Sequence, residues 1–160
     1  MSFVVNSLPQ YTRNSQKLKG ESFGQQVIID MAELKVPFQF TCTATSTKMI
    51  REQPDTVRRM VEAITAGIHF LKTQEEATLK IMAKYTRGAD RTILEGAYAA
   101  YGKLFVEDTY PTLEGLRNTL EIQSSWDPKV AKAKAEDFVD LRFVDQMRSS
   151  GFIDKLYGRK

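Results

Sequence analysis

The chain has 160 residues, of which 42% are hydrophobic and 27% charged. These are globular proportions that exclude wholesale disorder. The net charge is only +3, and its scatter along the chain argues against a nucleic-acid partner. A single cysteine, Cys42, excludes an intramolecular disulfide. No apolar run approaches the roughly 20 residues that a membrane-spanning helix needs.

The N-terminal residues Met1 to Asn6 carry neither the basic start nor the long apolar run of a secretory signal. As written, the chain is therefore expected to stay in the cytoplasm. Phe3-Val4-Val5 is a short β-type run, ended by Asn6-Ser7-Leu8-Pro9. Residues 11–26 are polar, with Gly20 and Gly24 as breakers, and Val27-Ile28-Ile29 has the all-apolar pattern of a strand buried on both faces. After a turn at Pro37, Phe38, Phe40, Cys42 and Ala44 alternate with Gln39, Thr41, Thr43 and Thr45. That period of two predicts a half-buried strand with one apolar face and one face of hydroxyls and an amide.

Helices are expected through the rest. Ser46 or Thr47 opens a short one over 48–53, and Pro54 restarts the helix as proline does at a first helical position. Val57, Met60, Val61, Ile64, Ile68 and Leu71 then form one apolar stripe, with Arg58, Glu62, Thr65 and His69 opposite it. Thr73 and Glu76 have capping-box spacing, which predicts a new helix to about Tyr85. Asp90 is placed to cap a helix whose inner face is Ile93, Leu94, Ala97, Tyr98, Tyr101, Leu104 and Phe105. Another helix follows Pro111-Thr112, using Leu113, Leu116 and Leu120. Residues 129–134 read as a solvated loop or helix edge. Asp140 is expected to cap a final helix that buries Leu141, Val144 and Met147. Gly151 suits its left-handed C-terminal cap, and Phe152 is placed to fold back on Met147.

Enzyme chemistry is hard to find in these residues. Cys42 is the one thiol and His69 the one imidazole, but nothing local pairs them as nucleophile and base. No metal-ligand spacing and no glycine-rich phosphate loop occur, so neither a metal nor a cofactor is expected. The dense hydroxyl run Thr41, Thr43, Thr45, Ser46, Thr47 stands out. At a strand end opening into a cleft, it would suit an anionic ligand before a helix N-terminus. The competing reading is an exposed sheet face with an N-cap.

From Asp30 onward the chain also carries an ordered series of short motifs. They are Ile29-Asp30-Met31-Ala32-Glu33-Leu34-Lys35-Val36-Pro37-Phe38, then Thr43-Ala44-Thr45-Ser46-Thr47 and Ile50-Arg51-Glu52-Gln53-Pro54-Asp55-Thr56-Val57. Gly67-Ile68-His69-Phe70-Leu71-Lys72-Thr73 and Tyr110-Pro111-Thr112-Leu113-Glu114-Gly115 follow. Glu136-Asp137-Phe138-Val139-Asp140 and Ser150-Gly151-Phe152-Ile153-Asp154 close the series. In that order they resemble the C-terminal part of solute-binding proteins of ABC importers, of the nitrate/sulfonate/taurine (NitT/TauT) type. That family also includes proteins that bind thiamine-pyrimidine precursors.

The resemblance implies a helix-rich α/β fold, the C-terminal half of a bilobal type II periplasmic-binding protein. Residues 1–40 would be a remnant of the second lobe and its return crossover, and residues 41–160 the closing strand and helices of the first lobe. Ser7, Pro9, Thr43, Thr45 and Ser46 would be the ligand contacts. The implied partners are a small anionic or heteroaromatic solute, an ABC permease, and either a second copy or the missing N-terminal half; the implied compartment is the periplasm. No catalysis is implied. Gln53 stands where an asparagine cap is usual in that family. The alternatives are a stand-alone helical interaction protein without a transport role, and a protein resembling those of thiamine-pyrimidine synthesis.

Overall fold

The computed structural model describes residues 2–4, 24, 26, 37–39, 42–86 and 89–159. Strand β1 (Ser2–Val4) pairs antiparallel with β2 (Thr43–Thr45), Phe3 standing opposite Ala44. Helices α1 (Thr47–Glu52), α2 (Pro54–Thr73), α3 (Glu75–Tyr85), α4 (Arg91–Leu104) and α5 (Leu113–Ser124) follow. Two short 3-10 turns, Val130–Lys132 and Ala135–Phe138, lead to α6 (Arg142–Ser149) and α7 (Phe152–Leu156). The described residues are therefore helix-rich, edged by one two-stranded ribbon. The expected strand at Val27-Ile28-Ile29 lies outside them.

Local chemistry sets most of the boundaries. The Ser46 hydroxyl accepts from the Met49 N–H at 3.1 Å, Asp90 accepts from Thr92 at 2.8 Å, and Thr112 accepts from Gly115 at 3.1 Å. Each bond satisfies an amide that a helix start leaves unpaired. Pro54 takes the first turn of α2, where its missing N–H costs nothing. Gly151 adopts φ +69° between α6 and α7, a left-handed turn open to glycine at little cost.

Helix α2 is the spine. Its first half contributes Val57 and Val61 to a cluster with Ile50, Phe143, Val144 and Met147, against which Phe152 packs as expected. Its second half contributes Ile68 to a cluster with Ala97, Tyr101 and Phe105, joined by Ile64, Leu71 and Met82. Between them Thr65 is fully buried. Its hydroxyl lies 3.0 Å from the Val61 carbonyl oxygen and 3.1 Å from the hydroxyl of Thr109.

Several expectations are corrected here. Thr65 belongs to the buried face of α2, whereas Met60 is 54% exposed. At about 100° per residue Thr65 falls beside Val61 on that face, and its hydroxyl becomes tolerable there because it is bonded. His69 is half-buried rather than on an outer face, its ring meeting that of Tyr157 edge-on with centroids 4.6 Å apart. Thr73 ends α2 instead of opening α3, because its hydroxyl bonds back to the His69 carbonyl at 2.8 Å; α3 starts after Gln74 without a side-chain cap. Glu76 instead reaches Arg91 at 2.6 Å. Leu104, expected inside, is 48% exposed. The last long helix starts at Arg142 and buries Phe143 beside Val144 and Met147, with Leu141 only half-buried. Asp140 still serves its start, accepting from the Arg142 N–H at 3.2 Å.

Candidate functional site

The expected hydroxyl strand is shorter than its alternation, and its faces are exchanged. Among the described residues only Thr43–Thr45 is β-paired here. Thr43 and Thr45 are half-buried and Ala44 is exposed. Upstream, Phe38 is 42% exposed while Gln39 is buried. The reversal follows from where the backbone docks. The Gln39 N–H donates to the Gly115 carbonyl at 3.3 Å, and its side-chain oxygen faces the Thr112 N–H at 3.4 Å. The Asn118 amide donates to the Pro37 carbonyl at 2.8 Å, and the Thr119 hydroxyl lies 3.4 Å from the Gln39 carbonyl. Polar groups on α5 satisfy Gln39, so burying an amide there is no liability.

This docking requires Gly115. A β-carbon on it would stand 2.9 Å from the Gln39 nitrogen and 3.1 Å from the Phe38 carbonyl carbon. Glycine therefore lets an extended backbone lie directly on a helix. The alternation of residues 38–45 held no trace of this contact, because it is made with a helix more than 70 residues away. The one sequence signal was a glycine in the first turn of α5, a position with no conformational need for it.

Of the residues singled out as ligand contacts, Thr43, Thr45 and Ser46 follow one another at the exit of β2, and Ser7 and Pro9 lie outside the described residues. The Ser46 side chain is engaged as a helix cap. Two open grooves are present. One of about 550 Å³ is walled by Phe105, Val106, Ile153, Arg148 and Arg159 with three carboxylates. The other, of about 410 Å³, lies between α5 and the 3-10 turns. Neither is lined by Thr43, Thr45 or Ser46.

Both arginines of the larger groove are already paired. Arg148 lies 4.3 Å from the Tyr110 ring centre and pairs with Asp108. Arg159 lies 4.8 Å from that of Tyr157 and 2.6 Å from Glu107. Each guanidinium is held between a carboxylate and an aromatic face, an arrangement that fixes the C-terminal helices to the loop after α4. In the smaller groove Arg117 pairs with Glu136.

Burial pushes the Cys42 thiol above its ordinary range, which disfavours the thiolate a nucleophile needs. The His69 ring is taken up by Tyr157. No group of three or more metal-binding side chains occurs among the described residues, and no described helix is long and apolar enough to cross a membrane. Comparison with family models, with curated proteins and with solved structures finds no match for the chain.

Proposed function

We propose that the chain is the C-terminal half of a bilobal solute-binding protein of an ABC importer. In this reading it contributes a helical wall and one crossover to a cleft that closes on a small anionic or heteroaromatic solute. The observation that carries the reading is the extended segment Pro37–Gln39. It is held on α5 by backbone and side-chain hydrogen bonds and precedes β2 in the chain, as a strap entering the helical layer would be. Such straps are what a two-lobed binding protein needs between its lobes. The ordered motifs from Asp30 onward supply the resemblance to the NitT/TauT type, and Thr43, Thr45 and Ser46 at the strand exit are the contacts assigned to the solute.

The second lobe and the remaining cleft wall would come from an N-terminal half or from a second copy. The assembled receptor would act in the periplasm and deliver solute to a permease. The mechanism is non-covalent, and neither a metal nor a cofactor takes part.

The reading frame upstream of the Met1 codon tests this directly. An in-frame α/β half with an export signal is expected, and the joined product should bind taurine, nitrate or an aminopyrimidine with one-to-one stoichiometry by isothermal titration. A stop codon immediately upstream, or a joined product that binds none of the three, would refute the reading.

A further inference from the structure

Gln39 and Gly115 form a close backbone contact, the Gln39 N–H donating to the Gly115 carbonyl at 3.3 Å. The strap is bonded at Pro37 and Gln39 to four residues of one helical start, namely Thr112, Gly115, Asn118 and Thr119. It approaches so closely that a methyl group on residue 115 would meet both the Phe38 and Gln39 backbones. The Thr119 hydroxyl is shared between the Gly115 carbonyl at 2.8 Å and the Gln39 carbonyl at 3.4 Å. It therefore links the helix's own ladder to the strap.

We propose that this clamp fixes the crossover to the helical layer, so that Pro37–Gln39 travels with α5 as one rigid piece when the lobes close. Gln39, Gly115 and Thr119 are then positioning residues: they touch no solute, but they set the point and direction from which the crossover leaves the layer. The inference rests on the two-lobed reading above. A clamp of this kind confines hinge rotation to positions other than Pro37–Gln39, because a hinge residue must be free to change φ and ψ, whereas these amides and carbonyls are bonded.

The test is amide hydrogen exchange on the 160-residue chain without ligand. The Gln39 amide should exchange well below the unprotected rate. Gly115→Ala should speed its exchange by about tenfold or more, since even one added methyl group disturbs a close-packed contact. Thr119→Val should act in the same direction with less effect, and carries the test if Gly115→Ala does not fold. Amides of residues 57–61, on α2 and outside the strap's hydrogen bonds, should keep their rates in both variants. Unprotected exchange at Gln39 in the parent chain would overturn the proposal. So would unchanged exchange in the variants, or strap and core amides accelerating together, which marks ordinary packing. Because no solute is present, the result is independent of the titration above: a protected, locally released strap beside a failed titration removes the transport reading and leaves the clamp.

Discussion

Thr109 has φ +49°, a left-handed backbone that strongly disfavours a β-branched residue. It is nonetheless buried, and its hydroxyl lies 3.1 Å from that of Thr65. The pair anchors the loop after α4 to the middle of α2, between the two apolar clusters. Removing one hydroxyl leaves the other buried without its partner, which costs about 1–3 kcal/mol. Thr65→Val, close to isosteric, should therefore lower urea-unfolding stability by that amount, while Thr65→Ser, which keeps the hydroxyl, should lose distinctly less. Equal losses would mean that packing, not the hydrogen bond, holds the loop. Helical spacing put Thr65 beside Val61 on the buried face, but the polarity of its side chain pointed outward, and the partner that makes its hydroxyl tolerable inside was not legible in the sequence. Its burial depends on Thr109, 44 residues away, and no local pattern encodes that pairing.

At the scale of elements, what is encoded locally was readable. Ser46, Pro54, Asp90, Thr112 and Gly151 each mark a helix end by bonds or backbone freedom within a few residues. The failure at Thr73 and Glu76 has the same logic reversed: the hydroxyl had a nearer carbonyl at His69, and the carboxylate a partner in Arg91. Gln53 precedes α2 without a capping bond, so Gln53→Asn should raise thermal stability by about 0.5–1 kcal/mol. Gly151→Ala should lower it by about 1–2 kcal/mol, the cost of a β-carbon in a left-handed turn. The start of α6 adds a pH dependence. Hydrogen bonds from Arg142 hold the Asp140 carboxyl below its usual range. A depressed folded-state value means that the carboxylate stabilises the fold above the unfolded value near pH ~4 and that this contribution is lost as pH falls through the folded value. Arg142→Gln should thus be less stable than the parent at pH 7, with the gap closing below about pH 4 in urea titrations across that range. A gap independent of pH would assign the loss to packing of the arginine stem.

At the scale of the whole molecule, the helix-rich layer was legible because amphipathic stripes survive any tertiary context, whereas the strap was not. Phe38 and Gln39 changed places between inside and outside because α5 and its cap offered the backbone and side chain of Gln39 polar partners in Thr112, Gly115 and Thr119. The same layer leaves large apolar side chains on its outside, among them Met60 at 54%, Ile81 at 48% and Trp126 at 80% exposed. Scattered singly, such residues are ordinary surface; joined in a patch, they mark a face awaiting a partner. A half-receptor must have such a face. Light scattering across a concentration series should therefore give a mass of two chains or more, and Met60→Lys or Ile81→Lys should shift the equilibrium toward one, as a charge placed in an apolar contact must be desolvated without a counter-ion. A single-chain mass at every concentration, with no binding of an apolar dye, would make these residues ordinary surface. The layer would then be a finished body, its strap a packing device, and the need for a second half would disappear.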